Sequence, residues 1–260
     1  MDGVNKTLYI PLYGKALVSR KGLFLRDAGA ERIWEASGFS LKGKARSKWL
    51  AYNMGMRAAV FDRWTEKMLA EHPGAAVLHL GCGLDGRVCR VAHGGHVWYD
   101  ADFPEVIAER RKFFRETEED HMVAADLREP GWMDAISGTA VIVVMEGLSM
   151  YLQMQELHTL LRDLKDRFGH VHLLMDSYTT FGAAATKYKN PINTVGVTRV
   201  YGFEDPREPA GDTGFRFVAE HGLTPDSMIA ELPKAEQRFF KTLFAGKLAK
   251  KIYRLYEYEI

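Results

Sequence analysis

The sequence predicts an α/β protein: a mostly parallel sheet with helices on both faces, a helical N-terminal extension, and an antiparallel strand at the C-terminal edge. Three observations predict it. From residue 75 onward, short apolar runs alternate with segments of helical periodicity. The run Ala140-Val141-Ile142-Val143-Val144-Met145 has no polar face, as a strand covered on both sides requires. The last segment, Lys251 to Ile260, alternates with period two and reads as a final antiparallel strand.

Each element follows from local pattern. No proline interrupts Lys44 to Glu71, and Leu50, Met54, Phe61, Trp64 and Met68 fall on one helical face. Arg57 lies inside that stripe. A guanidinium cannot shed its charge, so it must meet an anion there, either a carboxylate of the chain or one of a ligand. His72-Pro73-Gly74 ends the helix. Strands are then expected at 75–80, 96–100, 121–125, 140–145 and 171–176, and helices at 85–92, 104–116, 153–168 and 235–250. Tyr178 to Asp212 is rich in Gly, Pro, Thr and Asn and too long for an ordinary connection, which points to an active-site loop or lid at about 178–212. The expected organisation is a single domain over 1–260, with a helical cap at 1–72 and an α/β core at 73–260.

With 260 residues, 47% hydrophobic and 27% charged, the chain can bury a large core without disulfides or metal. Its 35 basic and 34 acidic residues nearly cancel, which gives no electrostatic footprint for nucleic acid or an anionic membrane. Ala140 to Met145, the longest strongly apolar run, falls far short of the ~18 residues of a membrane span. Met1 to Pro11 lacks a basic region followed by an apolar core, so a cytoplasmic protein without a secretory leader is expected. Cys82 and Cys89 are spaced for neither a zinc pair nor a redox pair, and both are expected to be reduced and buried. Gly38 to Lys44 imitates a phosphate-binding loop, but Ala45 stands where a hydroxyl should meet magnesium and no strand precedes it.

The ends of the expected strands carry the chemistry, because an open α/β sheet binds its ligand outside the strands' carboxyl ends. Gly81 follows the first strand, Asp102 the second, Asp126 the third and Glu146 the fourth. Gly81, Gly83 and Gly86 formally satisfy G-x-G-x-x-G, and Asp102 lies 19 residues beyond Gly83, near the ~20 expected for an acid that takes ribose hydroxyls. That pattern alone would suit a dinucleotide. Three carboxylates make a poor setting for a pyrophosphate and a good one for a cationic nucleoside cofactor. S-adenosylmethionine offers a sulfonium, an ammonium and ribose hydroxyls, and Arg57 is available for its carboxylate.

The chain resembles the leucine carboxyl methyltransferase family, which includes protein phosphatase methyltransferases and bacterial polyketide O-methyltransferases of the tetracenomycin type. The resemblance rests on Leu80-Gly81-Cys82-Gly83-Leu84-Asp85-Gly86-Arg87, Trp98-Tyr99-Asp100-Ala101-Asp102-Phe103-Pro104, Ala125-Asp126-Leu127-Arg128 and Glu146-Gly147-Leu148-Ser149-Met150-Tyr151-Leu152. It extends upstream through Pro11 to Ala16 and Asp27 to Glu31, and Pro11-Leu12-Tyr13-Gly14-Lys15-Ala16 is similar to the bacterial small-molecule branch. What it implies is a class I methyltransferase (Rossmann-like) fold that uses S-adenosyl-L-methionine. By the family pattern Lys15 and Arg57 hold the methionyl carboxylate, and Gly81 with Gly83 lies against the aminoacyl end. Asp102 takes the ribose, Asp126 and Leu127 hold adenine, and Glu146 lies by the methionyl end. Cys82 and Gly86 depart from the common Ala and Thr.

The expected activity is O-methylation of a carboxylate or phenolic oxygen on a small, polyketide-like acceptor. A carboxylate acceptor is already ionised and needs no base, whereas a phenol does. His121, His158 and His172 fall in no matched motif and are expected to be structural, so no catalytic base is assigned. Tyr151 and Tyr178, which follow the fourth and fifth strands, are the candidates to face the acceptor. Three alternatives stay open at this point: a protein C-terminal carboxyl methyltransferase, an NAD-dependent oxidoreductase, and a non-catalytic module with the same fold.

Overall fold

A computed structural model of the chain describes residues 7–186 and 199–260. The segment expected as a loop at 178–212 therefore lies partly outside the described residues. Within them, seven strands form one sheet: β1 (Ala76–Leu80), β2 (Trp98–Asp102), β3 (Asp120–Ala124), β4 (Ala140–Met145), β5 (His170–Tyr178), β6 (Arg216–His221) and β7 (Tyr253–Glu259). Their order is β3-β2-β1-β4-β5-β7-β6. β1 to β5 are mutually parallel, and β7 runs antiparallel to both neighbours.

The antiparallel side of the sheet is two strands deep. The C-terminal segment is antiparallel as expected, but it is the penultimate strand and not the edge; the edge is β6. Side chains explain both placements. Leu255, Tyr256 and Tyr258 of β7 are fully buried, which an edge strand with one wet face does not allow. β6 reads Arg216-Phe217-Val218-Ala219-Glu220-His221 and alternates exposed with half-buried, so a search for apolar runs passes over it. Elsewhere the expected strands sit within two residues of the observed ones, and β2 extends to include Asp102 itself.

The helices are α1 (Tyr9–Arg20), α2 (Ala28–Ser37), α3 (Lys48–Glu71), α4 (Arg87–Arg90), α5 (Pro104–Arg110), α6 (Met154–Arg167), α7 (Thr180–Ala185), α8 (Asp226–Ile229), α9 (Lys234–Phe240) and α10 (Lys247–Lys250). The single helix expected at 235–250 is broken: a π turn at Lys241–Ala245 follows α9, and Gly246 adopts an extended backbone before α10. Cys89 is exposed, contrary to expectation, because α4 lasts only one turn and leaves its side chain at the rim.

Alternate residues of the parallel strands feed two apolar layers. Leu78, Val143 and Leu173 face α6 through Leu157, Leu160, Leu161 and Leu164. Val77, Ile142, Val144 and Leu174 face Phe61, Trp64, Met68 and Leu69 on the C-terminal half of α3. The N-terminal half of α3 packs instead on α1, and that crossing is tight because two glycines lie in it. A Cβ on Gly14 would stand 2.8 Å from Met54 Cβ, and one on Gly55 would stand 2.6 Å from Val18 Cγ2. The close approach sets Lys15 beside Gly14 and Arg57 two residues beyond Gly55, on facing helices.

Gly55→Ala is expected to destabilise the protein by about 1–3 kcal/mol, because the stiff, fully buried Val18 cannot yield without moving α1. Urea unfolding with an unchanged m-value checks this.

Candidate active site

β1 is flanked by β2 on one side and β4 on the other, so the strand order reverses there and a crevice opens at the strands' carboxyl ends. A cavity of about 1020 Å³ occupies it. Helix α1 and the first half of α3 roof it with Leu8, Pro11, Lys15, Leu50, Met54 and Arg57. The strand ends form its floor, and a C-terminal wall includes Phe244, Ala249, Ile252 and Tyr253. All ten residues singled out from sequence line this one cavity: Lys15, Arg57, Gly81, Gly83, Asp102, Asp126, Leu127, Glu146, Tyr151 and Tyr178.

The turn after β1 earns its glycines at two points. Gly81 and Gly83 have φ of +66° and +53°, in the left-handed region that a side chain disfavours. Gly83 N–H donates to Asp102 Oδ2 at 2.8 Å, and Phe103 N–H donates to Oδ1 at 2.8 Å. Each carboxylate oxygen keeps a lone pair for a ligand hydroxyl. Burial raises the Asp102 pKa, and the two backbone donors oppose that shift. Gly86 is different: its φ is −85°, and it is small because a Cβ would lie 3.1 Å from Asp27 Oδ1. The third glycine of the apparent dinucleotide pattern thus serves packing.

Beneath the cavity lies a buried ionic network. Arg57 Nε donates to Glu146 Oε1 at 3.0 Å, and Nη1 donates to Asp176 Oδ2 at 3.0 Å and to Tyr253 Oη at 3.2 Å. Arg87 donates to Glu146 Oε2 at 2.5 Å and to Asp62 Oδ1 at 2.7 Å. Lys15 Nζ sits 3.0 Å from Asp85 Oδ2. Arg87 Nη1 lies 3.1 Å from His79 Nε2, and a guanidinium only donates. The network therefore assigns His79 the tautomer protonated at Nδ1, which donates to Asp100 Oδ1 at 2.9 Å, and burial keeps the ring neutral by lowering its pKa. Arg57 Nη2 makes no hydrogen bond among the described residues and is left toward the cavity that Arg57 lines.

Burial alone would raise the Glu146 pKa, but Arg57, Arg87 and Lys15 together hold it at about 2. Asp176 has only one arginine to offset its burial, and its pKa is raised. Asp126 is held below the carboxylate range by hydrogen bonds from Arg128, with Oδ1 and Oδ2 accepting at 2.9 and 2.5 Å. Burial raises the Tyr151 phenol. Tyr178 stacks edge-on against Tyr253, with ring centroids 4.7 Å apart.

Participants not singled out from sequence include Asp62, His79, Arg87, Asp176 and Tyr253. Asp176 carried the same signal as Asp102 and Glu146, an acid closing an apolar run, here Val171 to Met175. Tyr253 carried none, because its position depends on β7 entering the sheet beside β5.

The seven-stranded order and the strand-end cavity define a class I methyltransferase fold. Solved structures share it: magnesium protoporphyrin IX methyltransferase from Synechocystis, solved with bound S-adenosylhomocysteine, matches with a TM-score of 0.52 at 15% identity, covering 95% of this chain and 99% of that one. The family model for leucine carboxyl methyltransferase matches residues 5–165, and the chain belongs to that family. Among curated relatives, the tetracenomycin polyketide synthesis O-methyltransferase TcmP of Streptomyces glaucescens is 28% identical over 241 residues, which cover 91% of this chain and 89% of the relative. An S-adenosyl-L-methionine-dependent methyltransferase of Gibberella zeae, dpfgK, is 27% identical over 232 residues, covering 80% and 78%.

Glu146→Gln is expected to cost about 3 kcal/mol at pH 7, since it removes the anion that two buried arginines share. The folded Glu146 pKa lies below its unfolded value, so this stabilisation is present above the ordinary glutamate range and is lost as pH falls toward about 2. Urea midpoints of the two proteins should therefore converge on acidification.

Proposed function

We propose that the protein is an S-adenosyl-L-methionine-dependent O-methyltransferase that acts on a carboxylate or phenolic oxygen of a small, polyketide-like molecule in the cytoplasm. The observation that carries this reading is the gathering of Asp102, Asp126 and Glu146 with Lys15 and Arg57 around one cavity. The donor set fits the cofactor group by group. The open Nη2 of Arg57, with the Lys15 ammonium, suits the methionyl carboxylate. Asp102, fixed by two backbone donors, suits the ribose diol. Leu127 and Phe103 offer apolar surface for adenine, with Asp126 at its polar edge. Glu146 and its neighbours favour a cationic aminoacyl end. The left-handed turn at Gly81 leaves no Cβ between backbone and ligand.

When bound, the cofactor supplies a methyl group on a sulfonium, which is electrophilic without further activation. The chain's own part is to align an acceptor oxygen with that methyl group and to exclude water. Tyr151, Tyr178, Tyr253 and Phe244 give the acceptor arm of the cavity an aromatic lining. The resemblance to TcmP, whose name places it in polyketide synthesis, supports an acceptor of that kind. The C-terminal wall from Glu220 to Arg254 flanks this arm, which favours a small acceptor over a peptide C-terminus. The carboxylates disfavour a nicotinamide dinucleotide, whose pyrophosphate they would repel.

Calorimetry with S-adenosylhomocysteine is expected to show one site, with affinity about tenfold or more weaker in Asp102→Ala, the loss of one charge-assisted interaction. Binding of NADH in its place, or an unchanged affinity in the variant, would contradict the assignment.

A further inference from the structure

Just behind the cavity wall lies a proton acceptor outside the motifs that carry the family resemblance. Asp176 is wholly buried, and its Oδ2 accepts from Tyr253 Oη at 2.7 Å while its Oδ1 accepts from Gly147 N–H at 2.7 Å. Asp176 does not line the cavity; Tyr253 does, beside Tyr178 and hydrogen-bonded to Arg57. Among the described residues, Tyr253 thus offers the acceptor space a hydroxyl hydrogen-bonded to a buried carboxylate. From the methyltransferase reading above, we infer that Tyr253 and Asp176 form a proton relay that deprotonates a hydroxyl acceptor, a phenol or enol, during methyl transfer.

The hydrogen-bond inventory permits the relay. A phenolic oxygen has one proton to donate and two lone pairs. The proton goes to Asp176, one lone pair receives Arg57 Nη1, and the other remains for the acceptor's O–H. In the reaction the acceptor O–H bond breaks and its proton passes to Tyr253 Oη. The original Tyr253 proton passes to Asp176 Oδ2, so no tyrosinate accumulates. The acceptor oxygen forms the new O–CH₃ bond, and the pair of the breaking C–S bond stays on sulfur. The sulfonium charge disappears as Asp176 is neutralised, so the buried site ends with the net charge it started with. Had the proton left for bulk solvent instead, the site would end one unit more negative in a low-dielectric interior, at a cost that grows as the dielectric constant falls.

The surroundings decide which carboxylate takes the proton. Asp176 faces Arg57 from α3, Glu146 and Gly147 N–H from the end of β4, and Tyr253 from β7, and it also acts on the field at Tyr151. Asp176 and Glu146 share Arg57, but Glu146 has Arg87 and Lys15 as well. Glu146 therefore stays ionised, and of the two Asp176 is the better base, in keeping with its raised pKa. A carboxylate acceptor needs no such relay, so the device matters only for hydroxyl acceptors.

Two measurements test it. With 2-naphthol and 2-naphthoate as paired acceptor probes and a radiolabelled methyl donor, Tyr253→Phe is expected to lower 2-naphthol methylation about a hundredfold or more and to change 2-naphthoate methylation less than threefold. An equal loss on both, or none on 2-naphthol, overturns the relay. The second needs no turnover. In ¹³C-aspartate-labelled protein saturated with S-adenosylhomocysteine, the carboxyl signal missing from Asp176→Asn should titrate above the ordinary aspartate range and shift in Tyr253→Phe. A signal that titrates below that range overturns the relay whether or not a probe is methylated. Failure of the wild type to bind S-adenosylhomocysteine would instead count against the methyltransferase reading.

Discussion

The structure depends on burying two guanidinium groups, Arg57 and Arg87, under the carboxyl ends of a parallel sheet. Neither can be neutralised, and each would be costly without anions, so the chain must deliver carboxylates to them. It does so from four elements: Asp62 on α3, Asp85 in the turn after β1, Glu146 after β4 and Asp176 on β5. These bonds fix α3 against the strand ends and hold the loops after β1 and β4 in place. Removing any one leaves a buried guanidinium short of an anion; breaking a buried pair outright typically costs about 3–5 kcal/mol. The network is better understood as a constraint on geometry than as a source of net stability.

That constraint explains how the cavity is divided. Arg57 stands at the middle, with Glu146 on one nitrogen, Asp176 and Tyr253 on another, and the third left toward the cavity. In the proposed reading the glycine turn, Asp102 and Leu127 take the cofactor, and Tyr151, Tyr178 and Tyr253 face the acceptor. On that reading a single side chain, Arg57, registers the cofactor half against the acceptor half. Its own position is set by the Gly14 and Gly55 crossing of α1 on α3.

Much of this was legible in the sequence because it rests on local pattern. Apolar runs ending in an acid placed Asp102, Asp126 and Glu146 at strand ends, and the topology then brought them together. Arg57 was conspicuous as a charge in an apolar stripe; chain carboxylates hold two of its nitrogens, and a ligand carboxylate on the third is the proposed reading. What escaped depended on long-range pairing. β6 alternates too weakly to announce itself, and its pairing with β7 moves β7 from the edge to the interior. Tyr253 approaches Asp176 only because β7 lies antiparallel beside β5, a relation between residues 77 apart that no local spacing encodes. His79 reads as an ordinary strand residue until Arg87 is seen above it.

A crystal structure of the complex with S-adenosylhomocysteine tests the central claim most directly. The account requires density across the strand ends, with the ribose hydroxyls on Asp102, adenine against Leu127, and the carboxylate on Arg57 Nη2 and Lys15. A ligand lying in the reverse sense, with adenine against Glu146, or one held outside this cavity, would contradict it.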